Sequence, residues 1–228
     1  MVKQSAAETL ISIIIPCLNE EENIGKLLQT ITSADKIEII VVDGGSTDET
    51  VKIAEQYCTR VLVTTPGRGQ QLNYGAKNAA GSIFLILHAD SKVDANLFDC
   101  IRKAAADGFV GGCCRLEFDL QKWSLNLITQ ASNIRAKYFK IFYGDQGMFF
   151  TKEIFEKLGG FKNLPLMEDL EFSRRLRREG RLTVVNSQVI TSARRFVQGG
   201  IIKTILKMQL IKLLFRLGFS PYFLKKIY

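Results

Sequence analysis

Two short polar segments contain residue types that suit metal and phosphate chemistry. Asp43 follows one apolar run, and His88-Ala89-Asp90 follows another. A hard divalent cation such as Mg²⁺ or Mn²⁺ takes oxygen ligands, and one or two carboxylates plus substrate phosphates usually hold it. Asp90 suits that task. For His88 two interpretations stand side by side: a phosphate contact or Mn²⁺ ligand, and a partly buried histidine at a strand end.

Asp43 and Arg68 each allow a binding and a purely structural interpretation. Asp43 precedes Gly44-Gly45, so its carboxylate either organises a turn or accepts hydrogen bonds from a base or ribose. Arg68 lies between two glycines where a helix is predicted to begin. Free main-chain N–H groups and a guanidinium fork suit a phosphate or a base edge there, and the alternative is a solvent-facing loop arginine.

A third candidate is the acidic pair Glu168-Asp169 at the start of a predicted helix. Acidic residues at helix N-termini usually stabilise the helix dipole. Group transfer to a hydroxyl, however, needs a general base close to the acceptor. Both interpretations of the pair therefore remain open on the residues alone.

The elements that must position these residues alternate between strands and helices. Apolar runs predict buried strands at residues 10–16, 37–42, 60–64 and 83–87, with helices between them. Such a series predicts an α/β fold in which a mostly parallel sheet carries helices on both faces. If the strand order is 3-2-1-4, the ligand crevice lies between the first and fourth strands. Asn19, Glu20, Asp43 and the tripeptide at 88–90 would all lie at that edge.

The remaining chain is predicted to be less regular. Helices are expected near residues 19–31, 95–106, 123–142, 154–158 and 168–179, with strands at 109–118, 146–151 and 182–189. In the first of these helices, Glu20, Glu21 and Glu22 would occupy the first turn. No proline- or serine-rich linker divides the chain. The expected organisation is one domain over residues 1–198, followed by a helical appendage over residues 199–228.

Composition narrows the functional classes. Hydrophobic residues make up 46% and charged residues 24%, which is typical of a folded globular protein rather than a disordered chain. The net charge is +8, and the excess arginine and lysine in the second half attracts anions such as phosphates or an acidic membrane. Nucleic acid is disfavoured because aromatics do not interleave with the basic clusters. Five cysteines lack a CxxC spacing, which argues against a disulfide framework and favours a cytoplasmic location.

Several of these segments together resemble family 2 glycosyltransferases with the GT-A fold. The similar segments occur in the family's order over roughly residues 10–195: Ile13–Glu20, Val41–Asp48, Asn73–Gly81, His88-Ala89-Asp90, Gly159-Gly160-Phe161 and Glu168-Asp169-Leu170-Glu171. A bacterial subgroup described as radical-SAM/selenodomain-associated transferase 2 is more similar still. Its members resemble this chain at Tyr143–Gly147, Met167-Glu168-Asp169 and Ser192–Arg195, and in the basic C-terminus.

The resemblance implies a role for each matching residue. The reaction would be an inverting transfer from a nucleotide-sugar donor, by default a UDP-sugar, to an acceptor hydroxyl. Donor binding is implied for Pro16, Asn19, Glu20, Asp43, Arg68, His88 and Ala89, metal binding for Asp90, and general-base catalysis for Asp169 with Glu168 beside it. On the acceptor or diphosphate side the resemblance implies Asp145, Gln146, Arg194 and Arg195.

One position departs from the family pattern. The first aspartate of the DxD motif is His88 here, whereas its last aspartate is retained as Asp90. Loss of one carboxylate would weaken metal binding or change the preferred metal. This departure keeps a non-catalytic nucleotide- or membrane-binding module open as an alternative. A sugar-phosphate nucleotidyltransferase is less favoured, because the loop after the first strand is acidic and lacks glycine.

The C-terminal segment is predicted to be a basic amphipathic helix. Lys203, Lys207, Lys212 and Arg216 recur at spacings that predict one polar stripe on an apolar helix. Such a helix either packs on the domain with its lysines outward or lies on an anionic membrane surface near a lipid-linked acceptor. The second alternative places the protein on the inner face of the membrane.

Overall fold

The computed structural model describes residues 9–57 and 60–228, so the predictions for residues 1–8 and for Cys58 lie outside it. Eight strands form one sheet. They are β1 Ile11–Cys17, β2 Ile37–Asp43, β3 Val61–Val63, β4 Ile83–Ile86, β5 Lys92–Val93, β6 Gly111–Phe118, β7 Phe149–Thr151 and β8 Leu182–Thr191. The sheet order is β3-β2-β1-β4-β7-β6-β8-β5. The predicted order of the first four strands is thereby confirmed.

The two halves of the sheet differ in strand direction. β1 runs parallel to β2 and β4, and β2 runs parallel to β3. β7 then reverses the direction, pairing antiparallel with both β4 and β6, while β6 and β8 are parallel. β5 is two residues long and pairs with β8; its apolar signal is too short to be predicted. The sheet is therefore mixed, with its parallel half at the N-terminal end of the chain.

Ten α-helices connect and flank these strands in the described part of the chain. They are α1 Ile24–Ile31, α2 Thr50–Glu55, α3 Arg68–Lys77, α4 Leu97–Ala106, α5 Trp123–Ile134, α6 Lys152–Lys157, α7 Glu168–Leu176, α8 Arg194–Gly199, α9 Ile201–Arg216 and α10 Pro221–Ile227. Residues 135–139 add one π-helical turn to α5, so the helix predicted over 123–142 ends earlier. None of the helices in the described ranges is long and apolar enough to cross a membrane.

The first helix begins later than predicted. Asn19 adopts a left-handed conformation with φ 53°, and the main-chain N–H of Glu20 donates to Thr50 Oγ1 at 2.8 Å. These contacts hold residues 19–22 in a turn that faces α2. The predicted placement of Glu20, Glu21 and Glu22 in the first turn of α1 is therefore wrong, because α1 begins at Ile24.

Apolar side chains cover both faces of the sheet. Alternate residues of β1 point to opposite faces: Ile11, Ile13 and Ile15 join one cluster, while Ile14 joins another with Phe84. Each such fully buried side chain stabilises the fold by roughly 1.5–3 kcal/mol relative to exposure. Helices on both faces of a mixed α/β sheet confirm the predicted fold class.

A third, smaller cluster attaches the C-terminal helices. Leu116 and Phe118 of β6 pack with Leu125 of α5, and the half-buried Ile205 and Met208 of α9 pack against them. The end of the described chain thus lies against β6 and α5.

Candidate active site

Hydrogen bonds join the loops that follow β1 and β2 into one rim. The main-chain N–H of Asn19 donates to Ser46 Oγ at 2.8 Å, and its side-chain oxygen accepts from the N–H of Thr47 at 2.9 Å. Asparagine tolerates the left-handed backbone because its short side chain bonds locally. The polar ends of two parallel strands therefore meet, as the sequence predicts.

Asp43 organises this rim from inside. Its side chain is 1% exposed, and Oδ2 accepts from the main-chain N–H groups of Gly45 and Ser46, both at 2.8 Å. The hydroxyl of Ser46 donates to the other carboxylate oxygen. The turn-forming interpretation of Asp43 describes this geometry, and its contact with a base or ribose stays a prediction.

Pro16 and Glu20 belong to the same rim. Pro16 is half-buried in β1, in register with Val42 of β2. The Glu20 carboxylate accepts from Arg194 Nη2 at 3.0 and 3.1 Å. This ion pair joins the loop after β1 to the segment that follows β8.

A cavity of about 210 Å³ opens beside this rim. Its wall brings together seven of the predicted site residues: Arg68, His88, Asp90, Asp145, Glu168, Asp169 and Arg195. The other seven lie outside its wall: Pro16, Asn19, Glu20, Asp43, Ala89, Gln146 and Arg194. The cavity therefore contains both the predicted metal ligand and the predicted general base. Most of the residues predicted to bind the nucleotide lie beside it.

Arg68 connects the two ends of the cavity. Its Nε lies 3.3 Å from Glu168 Oε1, and its Nη2 contacts Nε2 of His88. Gly144 makes room for this pair, because a Cβ there would lie 2.8 Å from Arg68 Nη2 and 2.9 Å from His88 Nε2. Arg68 is thus a cavity residue, held between the turn after β4 and the start of α7.

The tripeptide His88-Ala89-Asp90 lies in a turn. β4 ends at Ile86, and the N–H of Ser91 donates to the carbonyl of His88 at 3.1 Å. The tripeptide therefore follows the fourth strand, as the sequence predicts. Both residues reach the cavity through the turn, while Ala89 is buried.

His88 and Asp90 differ in what surrounds them. Burial and the neighbouring Arg68 charge lower the pKa of His88 well below its usual value, so its neutral ring accepts from the guanidinium. Burial, with Glu20 nearby, raises the pKa of Asp90. In residues 9–57 and 60–228 no cluster of three metal-ligating side chains occurs. The donor set fits a hard cation held by one carboxylate, with phosphate and water oxygens completing its shell.

The acidic pair opens α7 on the opposite side of the cavity. Asp169 Oδ2 accepts the main-chain N–H of Gly144 at 2.9 Å, which orients its carboxylate toward the cavity. Glu168 is 4% exposed, and burial together with the Asp169 charge raises its pKa. Of the two acids, Asp169 is therefore the more accessible proton acceptor.

Asn73 and Phe161 hold α3 and the segment before α7 together. The Asn73 side-chain amide donates to the Phe161 carbonyl and accepts from its N–H, both at 2.8 Å. Gly160 has φ +73°, and a Cβ there would lie 2.6 Å from Asn73 Oδ1. This two-way contact fixes the approach of α7 to Arg68.

Asp145 and Gln146 differ in their position relative to the cavity. Asp145 lines the cavity, and burial raises its pKa. Gln146 is 0% exposed, and its side-chain oxygen accepts from Arg135 Nη2 at 2.5 Å. The expectation that Gln146 faces sugar or acceptor is therefore wrong, because it lies behind Arg135 and supports it.

The C-terminal helices supply cavity residues that the sequence reasoning missed. Lys212 and Ile211 of α9 line the cavity together with Tyr228, whose ring lies 4.0 Å from the Arg195 guanidinium carbon. Of the two arginines expected near the diphosphate, Arg195 faces the cavity, whereas Arg194 pairs with Glu20. The sequence signal that could have identified Lys212 is its distance of nine residues from Lys203, about two and a half helical turns, which places the two lysines on opposite sides of α9.

The basic residues of α9 do not form one polar stripe, so that prediction is wrong. Lys212 turns toward the cavity and is half-buried, whereas Lys203 and Lys207 are exposed on another flank of the helix. An apolar stripe faces solvent between the exposed basic residues: Ile202, Leu206, Leu210, Leu213 and Leu217. The helix thus packs on the domain and also exposes apolar surface.

Comparison with known proteins decides the family. Residues 12–159 match glycosyl transferase family 2, which is more than half of the 228 residues. The chain belongs to glycosyl transferase family 2. Among curated relatives, the probable glycosyltransferase YdaM of Bacillus subtilis is 26% identical over 193 residues, covering 73% of this chain and 46% of YdaM. An uncharacterized glycosyltransferase of Mycobacterium bovis is 34% identical over 86 residues, covering 37% and 38%.

Solved glycosyltransferase structures share the fold. A mannosyltransferase of Pyrobaculum calidifontis, in complex with GDP-Man and Mn²⁺, is 21% identical with a TM-score of 0.65, covering 80% of this chain and 56% of that one. Glucosyl-3-phosphoglycerate synthase of Mycobacterium tuberculosis, with Mg²⁺ and UDP, has 19% identity and a TM-score of 0.60, covering 83% and 72%. The GT-A fold is thereby confirmed. The match spans less than half the length of the curated relatives described above.

Proposed function

We propose that this family 2 chain transfers a sugar from a nucleotide-diphosphate donor, by default a UDP-sugar, to an acceptor hydroxyl, with inversion at the anomeric carbon. The observation that carries the proposal is one cavity with Asp90 and Arg68 toward the nucleotide rim and Asp169 at α7. Such an arrangement separates the group that holds the leaving diphosphate from the group that accepts the proton.

Donor binding is proposed for the rim and the adjoining cavity wall. Arg68 and Arg195 line the cavity, where their guanidinium groups would hold the diphosphate by charge-assisted hydrogen bonds. The rim of Pro16, Asn19 and Asp43 would hold the nucleoside. One solved structure with a similar fold contains UDP and another contains GDP-Man, which supports a nucleotide donor and leaves both bases as candidates.

A divalent cation is proposed at Asp90. Mg²⁺ and Mn²⁺ accompany the nucleotides in the two solved relatives, and the single carboxylate fits a cation whose other ligands are phosphate and water oxygens. When bound, the cation would stabilise the negative charge on the departing diphosphate. His88 would act by holding Arg68 in place.

Proton removal is proposed for Asp169. The N–H of Gly144 fixes one carboxylate oxygen at 2.9 Å, so the group is oriented before an acceptor arrives. Glu168 beside it would hold Arg68. Asp145 and Lys212 complete the proposed acceptor side.

A membrane-associated acceptor is proposed from the exposed surface. Most exposed large apolar side chains in the described ranges lie in α5 and its π turn or in the last thirty residues. Exposed Lys203, Lys207, Lys225 and Lys226 lie in the same C-terminal helices, and basic residues beside apolar ones suit an anionic membrane surface. The acceptor would then be lipid-linked and the protein peripheral on the inner face of the membrane. Membership of the radical-SAM/selenodomain-associated subgroup also stays a prediction.

A nucleotide-sugar screen tests the proposal. UDP- and GDP-sugars with Mn²⁺ or Mg²⁺ should raise the melting temperature, and slow transfer to water should release nucleoside diphosphate. The released sugar should have the inverted configuration. Stabilisation without release would favour a non-catalytic nucleotide-binding module, and the absence of both would reject the proposed function.

A further inference from the structure

A groove runs between α5 and α9 and meets the cavity at its inner end. Its volume is about 540 Å³. Tyr143 and Lys212 line both the groove and the cavity, so the two spaces adjoin at these residues. The groove extends over α5 from Trp123 to Arg135, or about 18 Å at 1.5 Å per residue.

The chemistry of the groove changes along its length. At the outer end its walls are apolar: Trp123, Leu127 and Ile128 of α5 face Ile202 and Ile205 of α9. Trp123 is 74% exposed and Ile202 is 66% exposed, so this end opens to solvent. An extended apolar chain fits such a wall, because burying its methylenes removes apolar surface from water.

The inner end is cationic. The Arg135 guanidinium carbon lies 3.8 Å from the centre of the Tyr143 ring, and Lys212 Nζ lies 4.6 Å from the same centre. Arg216 lines the groove next to them. Arg135 and Lys212 flank one aromatic ring, with Arg216 in the same groove wall. Their mutual repulsion is offset only in part by Asp145 and Asp169 on the cavity side of Lys212, and an anion at the groove side would relieve the rest.

We propose that this groove binds the acceptor, and that the acceptor is an amphiphile with an apolar chain, a phosphate and a hydroxyl-bearing head group. This inference rests on the proposed transferase function. The chain would lie along α5 and α9, the phosphate at Arg135, Lys212 and Arg216, and the hydroxyl next to Asp169 in the cavity. From the apolar chain to the hydroxyl, these contacts would run from the groove, past Tyr143, into the cavity.

The single tryptophan of the chain reports on this groove, because Trp123 lies at its open end. Decyl phosphate, kept below its micelle concentration, should shift Trp123 emission to shorter wavelength with saturable binding. Inorganic phosphate should leave the emission unchanged, and decanol should bind at least tenfold more weakly than decyl phosphate. Equal binding of decanol and decyl phosphate would overturn the phosphate assignment.

Two variants separate the groove from other apolar surface. Ala131 lines the groove, so Ala131→Phe should fill it and reduce decyl phosphate binding at least tenfold, while Gln130→Phe adds the same side chain on the other side of α5 and should not. Lys212→Met should lower affinity about tenfold, whereas Lys103→Met, exposed on α4, should not.

The same variants distinguish failure of this inference from failure of the proposed function. If Ala131→Phe binds decyl phosphate as tightly as the wild type, the groove assignment is wrong, even where nucleotide sugars still stabilise the protein. If nucleotide sugars with Mn²⁺ or Mg²⁺ neither stabilise the protein nor release nucleoside diphosphate, the transferase function itself is wrong.

Discussion

The two sides of the cavity are built by different means. On the proposed nucleotide side, parallel strands β1, β2 and β4 end at one edge. Asn19 joins the loop after β1 to the loop after β2, and Asp43 orders the latter. On the acceptor side, the wall comes from helices and irregular segments that are distant in sequence, such as Tyr143, Asp169 and Lys212. Strand topology therefore fixes the first side, whereas helix packing fixes the second.

The contrast suggests how one fold serves different acceptors. The nucleotide side depends on a strand order that leaves little freedom, since a shift in register would bury its polar residues. The acceptor side depends on where α5 and α9 pack, and side-chain changes there alter the wall without disturbing the sheet. Substitutions should accordingly separate donor binding from acceptor binding, except where a residue touches both sides.

Gly144 touches both sides, so its substitution should disturb both sides at once. In Gly144→Ala the new Cβ would displace Arg68 or His88 and would shift the N–H that orients Asp169. Donor turnover should fall about 100-fold, since displacements of about 1 Å cost that much. Steady-state release of nucleoside diphosphate measures this, with the circular dichroism spectrum as a check of folding. Turnover within threefold of the wild type would show that the two sides are not coupled at Gly144.

Asp90→Asn should affect the nucleotide side alone. Removing the one carboxylate that faces the donor should weaken Mn²⁺-dependent binding of a UDP-sugar by ~2 kcal/mol, or roughly 30-fold. Calorimetric titration with and without Mn²⁺ measures the change. Decyl phosphate binding at Trp123 should stay the same, and equal loss of both ligands would contradict the separation. Asp107→Asn, an exposed aspartate at the end of α4, is the matched control.

Glu168 should make the folding stability of the protein depend on pH. Burial and Asp169 raise its pKa from 4.5 to about 7, so the folded state binds this proton more tightly than the unfolded state. Stability contributed by the protonated acid is therefore lost as pH rises from 4.5 to about 7. Glu168→Gln should remove this loss, changing the pH dependence of the melting temperature by about 3 °C. An unchanged profile would contradict the raised pKa; Glu153→Gln, exposed on α6, is the control.

Leu210→Glu should have the smallest effect on the site and a clear effect on membranes. Leu210 is 49% exposed in the apolar stripe of α9, so the substitution should change folding stability by less than ~0.5 kcal/mol. Sedimentation with vesicles of anionic phospholipid at low salt should show a severalfold smaller bound fraction. Gln130→Glu adds the same charge on α5 and should bind like the wild type. If the wild-type protein does not bind such vesicles at any salt concentration, the proposed membrane surface is wrong.

The nucleotide side was predictable from the sequence, and particular residues show why. Parallel buried strands leave continuous apolar runs, so the ends at Asn19, Asp43 and Asp90 could be assigned to one edge before the fold was known. The error on this side was local. The acids after Asn19 form a turn rather than opening α1.

The acceptor side was less predictable because its residues acquire their roles through packing. The basic residues of α9 were interpreted as one stripe, yet Lys212 lies about two and a half turns from Lys203 and therefore on the opposite side of the helix, next to Tyr143. Gln146 belongs to a segment that resembles a family motif, yet its hydrogen bond to Arg135 buries it. The position of Lys212 could have been read from helical periodicity, whereas the burial of Gln146 depends on the packing of Arg135.

Asp169→Asn tests the central claim most directly, because the claim separates the proton acceptor from the donor site within one cavity. Asparagine keeps the size of the side chain and its contact with Gly144 can persist in part, while it cannot accept the acceptor proton. Release of nucleoside diphosphate should fall roughly 10²–10⁴-fold, with UDP-sugar affinity within twofold of the wild type. Turnover that persists in Asp169→Asn, or a loss of donor binding equal to the loss of turnover, would contradict the account.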